Sequence, residues 1–205
     1  MLGAPGRPDG LIWGARLAVA GSLLCVSVIA LLHVLEPEVN DRDAISEYAL
    51  GDFGWLMNIA FFSGAASISA LAFVLHRSVA RSKTSIAGIV LLSIAAVAWL
   101  LLGVGNIDPE GAEATTDGLI HGIGFLVGLP TRLAAPLVLA AAFRRDERWA
   151  GHRRLTLALG ITALAAEVAG FVDFASAVTL RLALALWLLW IAFTGARVLS
   201  RWYLA

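Results

Sequence analysis

Six long apolar stretches follow one another along the chain, separated by short polar connections. They cover about residues 11–35, 53–75, 85–104, 119–143, 155–172 and 175–199. A helix needs about 20 mostly apolar residues to cross the hydrocarbon core of a bilayer. Because that core has no water to hydrogen-bond the backbone, stretches of this length must be helical. The pattern predicts an all-α polytopic membrane protein, a six-helix transmembrane bundle.

The chain ends add little to this organisation. The first apolar stretch is longer than the apolar part of a signal peptide and has no small-residue cleavage site after it, so we interpret it as a retained span. Residues 1–10 are rich in Gly and Pro and are predicted to be a disordered cytoplasmic tail. Residues 11–205 are predicted to form a single transmembrane domain.

Composition agrees with a membrane protein and excludes one class of partner. Hydrophobic residues make up 60% of the chain, charged residues only 15%, and the mean hydropathy is +0.84. The formal net charge is zero, and the charges are sorted by connection rather than gathered on one basic surface. Nucleic-acid binding requires such a surface. We therefore expect the lipid bilayer, and no nucleic acid, as a partner.

The sorting of charge predicts an orientation. Twelve of the Arg and Lys residues lie in alternate connections or near the two chain ends: Arg7, Arg16, Arg77, Arg81, Lys83, Arg144, Arg145, Arg148, Arg153, Arg154, Arg197 and Arg201. The connections between them are acidic, with Arg42 as their only basic residue. Basic loops are retained in the cytoplasm. The chain is thus predicted to be a multi-pass plasma-membrane protein with both termini cytoplasmic.

Ionisable residues at membrane depth are candidates for function because burying them is costly. They concentrate in the outer half of the predicted bundle. Those assigned to a ligand-binding site are His33, Asp52, His121, Arg132, Glu167, Asp173 and Arg181. Their mixed charge suits a zwitterionic or phosphate-bearing headgroup, with Arg132 and Arg181 clamping an anion.

Arg132 and Glu167 are expected to form an ion pair. The two side chains lean toward each other because their helices enter the membrane from opposite sides, and an unpaired Arg at mid-bilayer is unfavourable. Pro130 and Pro136 flank Arg132 and are expected to kink the helix, since each removes a backbone hydrogen bond. The same pair also fits a purely structural clasp, so both interpretations stay open.

Two other chemistries were weighed for the outer polar residues. A metal-dependent hydrolase would use His33, His121, Asp52 and Asp173, but no two of these have the i, i+4 spacing of helical metal ligands. A haem would need His33 to face His121, and His76 to face His152. Both His76 and His152 lie beside arginines, which favours solvated side chains. No cofactor and no metal is predicted.

Three sequence features resemble a known family. They are Ile45-Ser46-Glu47-Tyr48-Ala49-Leu50-Gly51 with Gly54-Trp55 before the second span, Asp108-Pro109 after the third, and His121-Gly122 in the fourth. With the six-span layout, they resemble the prokaryotic membrane family catalogued as domain of unknown function nine-nine-eight. The resemblance implies six spans and draws attention to Ser46, Tyr48, Gly51, Asp108 and His121. It implies no reaction.

The functional expectation is correspondingly broad. The acidic connections Glu36–Asp52 and Asn106–Asp117 are expected to fold over the bundle, above an outward-facing polar cavity. The cavity is expected to bind or transport a lipid headgroup or a small polar molecule. A membrane-embedded lipid-modifying hydrolase at the outer leaflet and an accessory subunit are the alternatives. Because six spans leave little room for a transport path, a homodimer or a membrane partner is also expected.

Overall fold

The computed structural model describes residues 9–40, 44–172 and 176–203. Within these ranges the chain forms seven α-helices, α1 (Asp9–Leu35), α2 (Gly54–Ser78), α3 (Lys83–Val104), α4 (Thr116–Phe143), α5 (Glu147–Ala150), α6 (Arg153–Phe171) and α7 (Ser176–Tyr203). Two 3₁₀ helices, Pro37–Val39 and Ile45–Leu50, lie between α1 and α2. Six of the helices, all except α5, are long and apolar enough to cross a membrane. The predicted all-α, six-span architecture is confirmed.

The helix ends lie close to the predicted span ends. The largest difference is at the end of α7, predicted at residue 199 and observed at Tyr203. Asp9 and Gly10, predicted to belong to the disordered tail, are instead the first two residues of α1. The rest of that predicted tail, residues 1–8, lies outside the described residues.

The six long helices form a closed ring. Each packs against its neighbours along the chain, α4 packs against α6, and α7 returns to pack against α1. Consecutive long helices run antiparallel, as in an up-and-down helix bundle. α2 also reaches α7 across the interior. There Trp99 of α3 stacks on Trp187 of α7, with 5.6 Å between the ring centroids.

Small residues allow the helices to approach closely. A Cβ added to Gly21 of α1 would lie 2.8 Å from the carbonyl oxygen of Ser63 on α2. Next to this contact, the hydroxyl of Ser67 donates to the Ala18 carbonyl at 2.6 Å and lies 2.7 Å from the hydroxyl of Ser22. Polar side chains therefore join α1 and α2 in an otherwise apolar interface.

The two ends of the bundle differ in charge. One end carries the connections 36–53 and 105–115, and we call it the acidic end. The opposite end carries the connections 79–82 and 144–152, and we call it the basic end. α1 and α3 begin at the basic end and end at the acidic end, whereas α2 and α4 run the other way.

A buried aspartate joins the two connections of the basic end. Asp146 caps α5 and accepts hydrogen bonds from the Ala80 amide at 2.7 Å and from the amide and guanidinium of Arg148. Burial raises the pKa of Asp146, but the bonds from Arg148 and Ala80 outweigh burial and hold the pKa below its usual value. Asp146 therefore ties α5 to the segment between α2 and α3.

Helix α4 continues through both of its prolines. The Thr131 hydroxyl donates to the carbonyls of Val127 at 2.7 Å and Gly128 at 3.0 Å, next to the position where Pro130 has no amide to offer. Pro136 lies against Gly160 of α6, where an added Cβ would be 3.1 Å from the proline ring. This contact brings α4 close to α6 on the side away from the acidic end.

Candidate functional site

A cavity of about 250 Å³ lies inside the acidic half of the bundle. We call it the central cavity. Its wall comes from α2, α3, α4, α6, α7 and the segment Ala44–Ser46. Most of the wall is apolar, with four aromatic rings, Phe61, Trp99, Phe125 and Phe171. Its polar wall residues are Ser46, His121, Arg132 and Glu167.

The Arg132–Glu167 ion pair lies in this wall. Nη2 of Arg132 donates to Oε2 of Glu167 at 2.6 Å, and the side chains are only 12% and 4% exposed. The pair predicted from helix geometry is therefore present. A guanidinium carries five N–H donors, and the bond to Glu167 uses one of them. Among the described residues Arg132 has no other partner, so donors remain for a molecule in the cavity.

His121 offers a second polar group to the cavity. Its Nδ1 lies 2.9 Å from the Gly105 carbonyl oxygen and 3.2 Å from that of Leu102, at the end of α3. Two carbonyl partners require a proton on Nδ1, so Nε2 carries the lone pair in the neutral ring. The ring also meets Phe61 edge to face at 5.8 Å. His121 is thereby held in one orientation, and Nε2 is left to interact with a ligand.

The central cavity reaches the side of the bundle. Phe125 of α4 is 44% exposed and Phe171 of α6 is 59% exposed, yet both line the cavity. Both lie toward the acidic end of their helices. A residue that faces both the cavity and the exterior marks an opening, and here the exterior is the apolar surface of a spanning bundle. The opening therefore lies between α4 and α6.

His33 and Arg181 form a separate group between α1 and α7. Nε of Arg181 donates to Nε2 of His33 at 3.1 Å, while Nδ1 of His33 bonds the Ile29 carbonyl at 2.8 Å. Nδ1 of His33 is therefore the donor to Ile29, and Nε2 is the acceptor from Arg181. Arg181 also donates to the carbonyls of Ala177 and Val39. These bonds fix the start of the α1–α2 connection to α7.

Tyr48 extends this group into the 3₁₀ helices. Its hydroxyl donates to the side-chain oxygen of Asn40, whose amide nitrogen donates to the His33 carbonyl at 3.1 Å. The Tyr48 ring lies 5.2 Å from the His33 ring, and the Arg181 guanidinium lies 6.0 Å from it. Burial raises the pKa of Tyr48 despite the opposing effect of Arg181. Tyr48 is thus a buried anchor for the connection.

The structure distributes the sequence-predicted site residues over these two places. His121, Arg132 and Glu167 line the central cavity. His33 and Arg181 line a groove of about 320 Å³ between α1 and α7. Ile45 and Leu184 line both spaces and lie between them. Asp52 is exposed, and Asp173 lies outside the described residues.

The histidines and acidic residues that were candidates for a metal or haem site do not form one among the described residues. Residues 9–40, 44–172 and 176–203 contain no group of three or more His, Cys, Asp and Glu side chains that could hold a metal ion. The prediction that His152 is solvated is wrong, because its side chain is buried and its Nε2 lies 3.1 Å from the Thr194 hydroxyl. His76 is exposed at the basic end of α2.

Comparison with known families assigns the chain. Residues 19–200 match the family described as "Protein of unknown function (DUF998)". The chain belongs to the DUF998 family. No curated protein matches it, and no solved structure matches it.

One residue of this DUF998 chain that sequence reasoning did not single out is Glu36. It is buried, and its Oε1 accepts a hydrogen bond from the Phe53 amide at 2.6 Å, just before α2. Its carboxylate lies directly against Gly51. An acidic residue in a loop is ordinarily solvated, so the sequence alone did not indicate the burial of Glu36.

The remaining motif residues of this DUF998 chain organise the acidic end. Asp108 accepts hydrogen bonds from the Thr115 hydroxyl at 2.6 Å and the Thr115 amide at 2.9 Å. These bonds lower the pKa of Asp108. Thr115 in turn caps α4 by accepting from the Gly118 amide. Ser46 lies in the wall of the central cavity.

Proposed function

We propose that this protein binds one amphipathic molecule, such as a membrane lipid, in the central cavity. The observation that carries the proposal is the Arg132–Glu167 pair. It is nearly buried, lies in the wall of a largely apolar cavity, and leaves donors of Arg132 without a partner among the residues that the structure describes. An apolar pocket with a few converging polar groups is the usual form of a small-molecule site.

The shape of the cavity supports an amphipathic ligand over a water-soluble one. Phe125 and Phe171 at the opening are exposed, and in the proposed arrangement they face the hydrocarbon layer, from which the ligand enters. Such a ligand needs an apolar portion to partition into that layer. Its polar portion meets Arg132, Glu167 and His121 inside. Binding from the membrane is thus favoured over transport of a hydrophilic solute.

The charge distribution supports an orientation for this site. Basic residues collect at one end of the bundle and acidic residues at the other, and basic loops are retained in the cytoplasm. In the proposed arrangement the chain lies in the plasma membrane with both termini in the cytoplasm. The central cavity then opens toward the outer leaflet.

Lipid retention by purified protein tests the binding site. Leu129→Trp on α4 places a large ring in the wall of the cavity. The matched control is Leu126→Trp on the same helix, since Leu126 is 72% exposed and does not line the cavity. We expect native mass spectrometry to detect bound lipid in the wild type and in Leu126→Trp, but not in Leu129→Trp. Equal retention by all three proteins would contradict the proposal.

Thiol labelling tests the orientation. The native Cys25 is fully buried in α1, so it should not interfere with an introduced thiol. Glu110→Cys at the acidic end should react with a membrane-impermeant maleimide in intact cells. Arg81→Cys at the basic end should react only after permeabilisation. The reverse pattern would place the cavity on the cytoplasmic side.

A further inference from the structure

The polar part of the central cavity is electrically balanced. Arg132 and Glu167 are the charged residues among its described wall residues, and they are paired at 2.6 Å. His121 bonds two backbone carbonyls through Nδ1, which leaves Nε2 to interact with a ligand. The wall therefore offers donors and acceptors to a ligand but almost no net charge.

This balance discriminates against charged head groups. An anion that reached the remaining donors of Arg132 would be repelled by the Glu167 carboxylate at short range. A cation would meet the corresponding repulsion from Arg132. In a poorly solvated site such like-charge contacts are strongly unfavourable. An uncharged hydroxyl group can instead accept from Arg132 through its oxygen and donate its O–H to Glu167 or His121 without breaking the pair.

The volume of the central cavity limits the size of the ligand's apolar portion. An apolar cavity of about 150 Å³ holds one benzene molecule. The central cavity, at about 250 Å³, is larger, but it does not hold the two acyl chains of a phospholipid. It suits part of a single chain beside the aromatic rings. The opening between Phe125 and Phe171 lets the rest of that chain extend into the bilayer.

We propose that the ligand is a single-chain lipid whose head group is uncharged and carries hydroxyl oxygens, such as a monoacylglycerol or a long-chain alcohol. This inference rests on the proposed binding function and names the class of molecule that the site takes. It replaces the expectation of an anion clamp, since Glu167 neutralises Arg132 and Arg181 bonds His33 outside the cavity wall.

A series of compounds with equal apolar chains tests this specificity. The apolar chain of each compound carries bromine atoms, which quench indole fluorescence on contact. Trp99 in the cavity wall is the reporter. The head groups are glycerol, hydroxyl, carboxylate and trimethylammonium, measured above neutral pH in detergent micelles. Specific binding is the saturable quenching that is removed both by Trp99→Phe and by Leu129→Phe, which fills the cavity without adding an indole.

The expected result is that the glycerol and hydroxyl compounds bind at least about tenfold more tightly than either ion. Tighter binding of the carboxylate or the trimethylammonium compound would overturn this inference but leave the binding site in place. If no compound shows saturable quenching, both the inference and the proposed function fail.

Charge variants provide an independent readout. Glu167→Gln leaves Arg132 unbalanced, so the preference should shift toward the carboxylate. Arg132→Gln leaves Glu167 unbalanced, so the preference should shift toward the trimethylammonium compound. Opposite shifts in the two variants support a wall whose neutrality selects the ligand. An unchanged order of affinities in both variants would show that the head group lies elsewhere.

Discussion

The carboxylate of Glu36 packs directly against Gly51 and fills the space that the methyl group of an alanine at position 51 would need. Glu36 follows the last residue of α1, and Gly51 follows the second 3₁₀ helix. The contact lets the Glu36 side chain reach the Phe53 amide at the start of α2. The contact with Glu36 explains why a glycine follows the segment Ile45–Leu50 in this chain.

Gly51→Ala should destabilise the protein by about 1–3 kcal/mol, because the added methyl group overpacks the contact with Glu36. Thermal unfolding in detergent measures the effect. Gly122→Ala is the control, since an added Cβ there meets nothing within 4 Å. Glu36→Ala combined with Gly51→Ala should cost less than the sum of the two single changes, as expected for residues in contact. Strict additivity would place the two side chains apart.

Ser67→Ala should lower stability by only about 0.6 kcal/mol, the usual size of a hydrogen bond between membrane helices. Ser67→Leu should cost much more, because the helices are in close contact there: a Cβ added to Gly21 would lie only 2.9 Å from the Cβ of Ser67. Denaturant titration of the two variants compares the two effects. Ser93→Ala, which removes an exposed hydroxyl bonded within α3, serves as the control. Equal losses for Ala and Leu would contradict the close packing of α1 and α2.

Breaking the Arg132–Glu167 pair on one side should cost about 3–5 kcal/mol, since the other charge stays buried and unpaired. Replacing both residues by Met should restore most of the stability. We expect the double variant to fold but to bind no lipid, as seen by thermal unfolding and native mass spectrometry. If the double variant retained bound lipid, the pair would be a structural clasp only. Arg145→Met at an exposed position is the control.

Stability should fall at acidic pH partly because of Asp146. Its pKa in the folded protein is lower than its ordinary value of 3.8, so at acidic pH the folded state binds fewer protons than the unfolded state. The stabilisation is complete near neutral pH and is lost as the pH falls below about 4. Asp146→Ala should lower the melting temperature at pH 7 and flatten its dependence on pH. Glu147→Ala, an exposed neighbour, should leave both unchanged.

Much of the fold was predictable because it depends on hydropathy and charge along the chain. Apolar stretches located all six spans, and the cost of burying Arg132 indicated that Glu167 is its partner. The first inference depends on the hydropathy of one helix at a time, and the second on the opposite directions of two helices.

The arrangement of the site was less predictable because it depends on how helices are placed around the ring. His33 and Arg181 lie at the same end as His121 and Arg132, yet Ile45 and Leu184 lie between the two groups. The depth of a residue along a helix can be predicted from the sequence. The direction that the residue faces within the bundle depends on where the neighbouring helices lie.

Burial of loop residues was the least predictable feature. Glu36 and Asp146 lie in polar connections, and nothing in their immediate sequence separates them from solvated acids. Each is buried because it satisfies backbone amides of a distant segment, Phe53 for Glu36 and Ala80 for Asp146. Such partners are identified only when the connections are folded.

The spacing of the ion pair also bears on how the chain is synthesised and inserted. Arg132 precedes Glu167 by 35 residues, which at about 5–20 residues per second corresponds to a delay of roughly 2–7 s on the ribosome. During that interval α4 carries a cation whose insertion alone is unfavourable by about 2.5–3.5 kcal/mol. α4 should therefore remain beside the translocon until α6 emerges, and the two helices should pass into the lipid together.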